Sequence, residues 1–191
     1  DGALIFTLTS ILSRHGDVLR QKADGTFEYR FAEGELLLFD SARRLVAMVD
    51  RNGNTSTLSY TGSNLASVSD AVGRSITFQY NSDNLVERVT DSFGRRWLYS
   101  YTPSAIGLHL ATVTDPLDNV TQYGYSQARL VSITDGRGHL VKEITYNNNR
   151  VIQQTFADGG FQRYSYSLSG ASVTFVELTD SLGRRVDFKN T

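Results

Sequence analysis

Residues 89–101 read VTDSFGRRWLYSY, which is an Asp-x-x-Gly turn sequence followed by alternating aromatic residues. Asp91 suits the first position of a type I turn, because its carboxylate can accept hydrogen bonds from the backbone amides that follow. Gly94 suits the fourth position, where φ is positive in a bulged three-residue hairpin connection. Beyond the turn, aromatic residues at every second position of 97–101 fall on one face of a strand. The stretch therefore predicts a tight turn that leads into a β-strand.

The same pattern recurs along the chain, as VSDAVGRSITFQY at residues 68–80 and MVDRNGNTSTLSY at residues 48–60. The first five turn aspartates are 20, 21, 24 and 20 residues apart, and the full set is Asp50, Asp70, Asp91, Asp115, Asp135 and Asp180. The glycines three residues later are Gly53, Gly73, Gly94, Gly138 and Gly183, and Asp118 takes this slot after Asp115. A tyrosine follows the slot by seven residues, or by eight in the last case, giving Tyr60, Tyr80, Tyr101, Tyr125 and Tyr146. This spacing is typical of a tandem repeat of about 20 residues.

Each unit contains two strands and two chain reversals, because turn-forming residues and then an apolar residue follow each tyrosine. We therefore expect an all-β fold of tandem antiparallel β-hairpins that form a strip or part of a curved shell, with roughly fourteen strands from about seven units. The 24-residue interval has four extra residues within 102–109, and Pro103 and Gly107 indicate an inserted loop there. An insertion at a hairpin tip costs little free energy.

The regularity divides the chain into three parts that we treat as one repeat domain, 1–191. Residues 50–146 hold the regular repeats, residues 1–49 hold divergent repeats or a cap, and residues 147–191 hold divergent repeats. The last unit looks truncated, and we expect the native polypeptide to continue beyond Thr191 because a stacked strand array needs capped edges.

Composition excludes several classes of function. The chain has 19 Lys and Arg against 20 Asp and Glu, a net charge of -1, so a nucleic-acid partner is not expected. No run approaches 18 apolar residues, so membrane insertion by this chain is not expected. The absence of Cys excludes disulfides and thiolate metal sites without fixing a compartment.

The candidates for catalysis are few. His15, His109 and His139 have no partner histidine at metal-ligand spacing; His109 falls in the expected loop and His139 follows a turn glycine, which favours solvated structural roles. The periodic aspartates are interpreted as turn formers, because a glycosidase needs one carboxylate pair whereas every repeat needs a turn. The sequence therefore predicts no catalytic residue, metal site or cofactor, and no enzyme.

Two features could bind ligands. Gly-Arg pairs, as at 73–74 and 94–95, could form a basic stripe for heparin-like or phosphate groups, although neighbouring acidic residues offset them. The aromatic rows could stack on sugars, and the candidate ligand face contains Trp97, Tyr99 and Tyr123. Aromatic rows on sheets are more often packing surfaces, because sheet faces must be covered.

The three quoted stretches resemble the YD repeats of Rhs proteins, which also occur in teneurins and in the shell subunits of Tc toxins. The resemblance is close over 50–146 and loose in the flanks, and five copies in phase carry it. It implies β-strips that spiral into a hollow shell around a C-terminal toxin or effector. It also implies a secreted or cell-surface bacterial protein, with neighbouring repeats and the cargo as partners.

The chain departs from full-length family members in two ways. It has too few repeats to close a shell, and it lacks the Asp-Pro-x-Gly-Leu type motif that ends the shell, since residues 115–117 match it only superficially. Autoproteolysis and toxin activity therefore lie outside this chain. We expect a structural wall segment. The alternative is an extracellular carbohydrate-binding or adhesion module that uses the aromatic face, and a hydrolase would require turnover that no motif predicts.

Overall fold

The computed structural model describes residues 4–7, 16–170 and 172–189, which form an all-β structure of antiparallel strands. This confirms the predicted fold class. The chain divides into two compact units, 1–96 and 97–191. No described residue lies in a helix, so none of this part of the chain forms a helix that could cross a membrane.

Each strand of the first unit pairs antiparallel with the next strand along the chain. The strands are β1 (Leu4–Thr7), β2 (Val18–Gln21), β3 (Phe27–Arg30), β4 (Leu36–Phe39), β5 (Leu45–Val49), β6 (Thr55–Thr61), β7 (Asn64–Ser69), β8 (Ser75–Tyr80) and β9 (Val86–Asp91).

The second unit repeats this meander, with β10 beginning at the boundary between the units. Its strands are β10 (Arg96–Ser104), β11 (Gly107–Thr114), β12 (Val120–Ser126), β13 (Arg129–Thr134), β14 (Leu140–Asn147), β15 (Arg150–Phe156), β16 (Phe161–Ser169), β17 (Ser172–Asp180) and β18 (Arg185–Lys189). The expected count of fourteen was wrong: the described residues form eighteen strands, because the divergent flanks continue the meander with other turn sequences.

The register gives each unit two chemically different faces. On one face of the first unit, Leu58 lies opposite Val68, and Val68 lies opposite Ile76. On the other face the hydroxyl oxygens of Ser59 and Ser67 are 2.7 Å apart in a hydrogen bond. We call the face of Leu58 the tyrosine face, because the repeat tyrosines lie on it, and we call the opposite face the hydroxyl face. The alternation of residue types along the strands dictates this division.

Very little of the chain is buried. Among the described residues whose exposure is known, only Ala47 and Asp17 are buried, at 8% and 5% exposure. The Asp17 carboxylate accepts hydrogen bonds from the Tyr29 hydroxyl and the Ala32 amide, both at 2.8 Å. Stability therefore depends on strand pairing, turns and contacts between neighbouring strands rather than on a packed core.

The irregular repeats extend strands instead of forming loops. Residues 102–109 are not a loop: Thr102 pairs with His109 and Pro103 with Leu108, so the insertion lengthens both β10 and β11. His109 accordingly lies in a strand, half-buried, with its ring stacked on Tyr125 at 4.7 Å between centroids. In the repeat where the tyrosine is one residue late, the register shift between β13 and β14 absorbs the extra residue as a β-bulge.

Candidate functional site

The repeat signature builds one recurring turn. At Asp70 the backbone amide donates to the carbonyl of Arg74 at 2.9 Å, and the Gly73 amide donates to the carbonyl of Asp70 at 3.1 Å. The φ of Gly73 is 86°, and Asp118 takes the same slot in its own turn with a φ of 63°. These bonds and angles are those of a type I turn with a bulge residue. The same two backbone bonds form at every signature aspartate: Asp50, Asp70, Asp91, Asp115, Asp135 and Asp180.

The aspartate carboxylate holds this turn through both oxygens. In Asp91, Oδ1 accepts the amides of Phe93 at 2.9 Å and Arg95 at 3.0 Å, while Oδ2 accepts Nε of Arg95 at 2.6 Å. Desolvation alone would raise the pKa of Asp91, but the Arg95 hydrogen bonds and the turn amides outweigh it, and the pKa is lowered. The carboxylate is therefore held in its charged form by the turn that it stabilises.

Sequence reasoning missed the residue that follows the glycine slot. This residue pairs with the aspartate of its own turn, through Nε at 2.6 Å in Arg74 and Arg184, and through the side-chain amide at 2.9 Å in Asn119. The arginines that suggested a basic stripe are thus paired with a carboxylate in the same turn, which offsets their positive charge. A recurring Arg, Asn or His four residues after each aspartate was the available signal.

Two further turns lack the Asp-x-x-Gly sequence. Asp40 binds the amide of Arg44 at 2.9 Å, and Arg43 takes the glycine slot with a φ of 67°. Asn81 uses its side-chain oxygen in the same way, and Asn84 takes the slot with a φ of 62°. Asn is tolerated in the left-handed region of backbone conformation, whereas Arg adopts a positive φ at a cost in free energy.

Three of the repeat tyrosines, Tyr60, Tyr80 and Tyr146, and also Tyr166 form hydrogen-bonded clamps between neighbouring strands. The hydroxyl of Tyr80 in β8 donates to the carbonyl of Leu65 in β7 at 2.9 Å. The paired residues of β7 and β8 run only from Ser67 to Ser69 in β7, so the hydroxyl satisfies a carbonyl beyond the end of the ladder. The same bond joins Tyr60 to Leu45 at 2.8 Å, Tyr146 to Leu130 at 2.9 Å and Tyr166 to Val151 at 2.7 Å.

An arginine covers three of these tyrosine clamps. The guanidinium carbon lies 4.7 Å from the ring centroid for Arg44 over Tyr60, 5.3 Å for Arg129 over Tyr146 and 6.0 Å for Arg150 over Tyr166. Each arginine directly precedes the residue whose carbonyl accepts the tyrosine hydroxyl. The contact adds a cation–π interaction to the hydrogen bond, so ring and hydroxyl both join neighbouring strands.

The candidate ligand residues share the tyrosine face of the second unit. Trp97, Tyr99 and Tyr123 are all half-buried. Tyr99 lies opposite Val113, and Tyr123 lies opposite Ile133, so the rings stand within the apolar rows.

The histidines do not come together. His139 is exposed and its Nδ1 lies 3.6 Å from Oδ2 of Asp135, while His15 lies outside the described residues. Within the part of the chain that the structure describes, no three His, Cys, Asp or Glu side chains are grouped to hold a metal ion.

Comparison with solved structures gives the fold relationship. The chain is similar to TcdB2-TccC3, solved without its hypervariable C-terminal region, with a TM-score of 0.60 and 14% sequence identity. The fold is that of the Rhs/YD-repeat shells. The alignment covers 91% of this chain and 12% of that chain, so this chain spans about an eighth of the solved structure.

Two further structures align at lower similarity. The Photorhabdus luminescens Tc holotoxin pore gives a TM-score of 0.46 at 14% identity, covering 91% of this chain and 11% of that chain. A porin-like protein from Bacteroides uniformis also gives 0.46 at 14% identity, covering 92% of this chain and 90% of that chain. No protein-family model and no curated protein matches this sequence.

Proposed function

We propose that this chain is a non-enzymatic wall segment of a shell that encloses or presents another polypeptide. The observation that carries the proposal is the construction of each unit as one sheet layer with two different faces and almost no buried side chains. Aspartate turns recur at intervals of about 20 residues over 50–135, and tyrosine clamps join neighbouring strands in both units; both features stiffen such a layer. The fold similarity to TcdB2-TccC3 supports this function.

The proposed partners are neighbouring repeat segments and a C-terminal toxin or effector in the same polypeptide, and the proposed location is outside a bacterial cell or on its surface. We would test this on the polypeptide in which the segment occurs, by limited proteolysis with mass spectrometry. The expected result is a C-terminal fragment that stays bound and protease-resistant after cleavage. A fragment that is digested as fast as the same fragment expressed alone would refute enclosure.

A second candidate function is binding of a carbohydrate. The observation that favours it is an open cleft of about 700 Å³ in the second unit, lined by Pro103, His109, Tyr123 and Tyr125 among others. Aromatic rings beside polar groups are suited to sugars. Binding on a glycan array that disappears in Tyr123→Ala, but persists in Trp97→Ala on the same face, would favour the cleft, and an array without signal would eliminate it.

A further inference from the structure

The cleft in the second unit lies where one tyrosine clamp is missing. Tyr125 is the repeat tyrosine of β12 and lines the cleft. In three of the four clamps described above, the accepting carbonyl lies 15 residues before the tyrosine, a spacing that would pair Tyr125 with Leu110. The Tyr125 hydroxyl forms no hydrogen bond with Leu110 or with any other described residue. It therefore has donor and acceptor capacity that this part of the chain does not use.

A histidine takes the place of the arginine that covers three other clamps. Those arginines each directly precede the residue with the accepting carbonyl, and His109 directly precedes Leu110. The ring of His109 lies nearly parallel to that of Tyr125, with 13° between the two planes. Its Nε2 atom is buried and has no hydrogen-bond partner among the described residues. Native proteins rarely leave such an atom unsatisfied, so it indicates a partner from outside the chain.

Two of the elements that line the cleft depart from the regular repeat. The lengthened β10–β11 hairpin contributes Pro103 and Ile106. The β12–β13 turn contributes Gln127 and Ala128, whose φ values are 49° and 62°. Two asparagines hold the corresponding positions of the β14–β15 turn, and asparagine tolerates a positive φ better than glutamine or alanine does. Backbone strain of this kind clusters at functional sites.

The side chains that line the cleft are suited to an uncharged ligand. No Asp, Glu, Lys or Arg is among the described lining residues. A sulfate or carboxylate group would lose hydration there without gaining a cation, which is costly. The hydroxyl of Tyr123, like that of Tyr125, is without a partner among the described residues, so two phenol groups lie beside apolar side chains. Sugar rings offer C–H groups to aromatic faces and hydroxyl groups to such phenols.

We propose that this cleft binds an uncharged sugar, and that the Tyr125 hydroxyl, released from the clamp, forms a hydrogen bond with a hydroxyl group of that sugar. The inference rests on the second function proposed above, carbohydrate binding, and adds the class of sugar and a residue that recognises it. The same repeat position thus has two uses. In Tyr146 the hydroxyl donates to a strand carbonyl and stabilises the sheet, whereas in Tyr125 it is available to a ligand.

The first test is a glycan array probed with the purified chain. It compares neutral glycans that end in glucose, mannose, galactose or N-acetylglucosamine with anionic glycans that carry sialic acid, uronic acid or sulfate. We expect signal from the neutral group. Signal confined to the anionic group would overturn this inference and leave carbohydrate binding standing, whereas an array without signal would eliminate both.

The second test separates recognition from stability. Tyr125→Phe should weaken binding of the neutral glycan with the strongest array signal about two- to tenfold in titration calorimetry, and should leave the urea midpoint unchanged. The matched control is Tyr146→Phe, which should lower the urea midpoint and keep the affinity, because its hydroxyl donates to Leu130. Unchanged affinity in Tyr125→Phe, or an equal loss in both variants, would refute the role of Tyr125 even if Tyr123→Ala abolishes binding.

The third test removes the insertion and keeps both tyrosines. The variant replaces residues 103–108 with Gly-Ser, the tip sequence of the β6–β7 hairpin at 62–63. Thr102 pairs with His109 as the residues that flank that shorter tip pair with each other, so the register is kept. Loss of the inserted lining should abolish the array signal while cooperative urea unfolding is retained. Undiminished binding by this variant would place the sugar site outside the cleft and overturn the proposal.

Discussion

Replacing Tyr80 with phenylalanine removes one oxygen atom and should measurably destabilise the first unit. The hydroxyl donates to the carbonyl of Leu65 at 2.9 Å, in a half-buried position beyond the end of the β7–β8 ladder. Phenylalanine keeps the ring contacts on the tyrosine face but leaves that carbonyl without its donor. The change therefore isolates the hydrogen bond of the clamp from the packing of the ring.

The expected cost follows from the net value of such a bond. A typical intramolecular hydrogen bond contributes about 0.5–1.5 kcal/mol to the free energy of unfolding. For a chain of this length, 1 kcal/mol lowers the melting midpoint by about 2–4 °C. Replacing Tyr60, Tyr80, Tyr146 and Tyr166 together, which clamp separate strand pairs, should cost roughly 2–6 kcal/mol if the sites are additive. That sum is a large share of the roughly 5–15 kcal/mol by which natural domains are stable.

The assay combines urea denaturation with amide hydrogen exchange. The matched control is Tyr123→Phe, because the Tyr123 hydroxyl has no hydrogen-bond partner among the described residues. Tyr80→Phe should lower the urea midpoint and speed exchange in β7 and β8 while leaving β13 and β14 unchanged. Equal midpoints for the two variants, or faster exchange spread evenly over the chain, would refute the clamp as a local contributor to stability.

Other predictions concern the turns. Gly94→Val should destabilise the chain by about 1–3 kcal/mol, because its φ is 78°. A β-carbon there meets nothing within 4 Å, so the cost is backbone strain and not a collision. The control variant His139→Ala should change stability little, and comparable thermal melts for the two variants would contradict the turn assignment. Gly136→Val should also destabilise, but by collision, because a β-carbon would lie 3.0 Å from the backbone nitrogen of Val120; Gly136→Ala should show most of the effect in a urea titration. Acid should lower the free energy of unfolding of the chain. The Asn119 side-chain and backbone hydrogen bonds lower the pKa of Asp115 below its ordinary value of 3.8, and the pKa values of Asp70, Asp91 and Asp180 are also lowered. A carboxyl with a lowered folded pKa stabilises fully above 3.8 and loses this contribution as the pH falls through the folded value, so urea midpoints should be level at neutral pH and fall in strong acid; a midpoint that rises on acidification would contradict this.

The sequence was sufficient for the parts of the fold that depend on local chemistry. Asp91, Gly94 and the alternation that follows them specify a turn and the face of a strand, and the structure has both. It was insufficient where another residue type took over the role of glycine. Arg43 adopts a φ of 67° in a turn that no glycine marks, so the positive φ of that turn could not be predicted from its sequence.

The clamps could not be predicted because their acceptors are backbone groups. The carbonyl of Leu65 has no signature of its own, and its need for a donor arises only from where the β7–β8 ladder ends. Likewise, Pro103 and Gly107 suggested a loop, whereas both positions fit at the end of a lengthened hairpin. These features depend on register between strands, which spacing along the chain specifies only in part.

The near absence of buried side chains has an evolutionary consequence. A protein with a packed core resists substitution because a change of even one methylene is felt by its neighbours. Here few positions are constrained by volume, since only Ala47 and Asp17 are buried among the described residues whose exposure is known. Most strand positions need to preserve only polarity and β propensity, so sequences can drift far while the backbone is retained. Similar folds with few identical residues, as in the TM-score of 0.60 at 14% identity to TcdB2-TccC3, are expected of such a sheet.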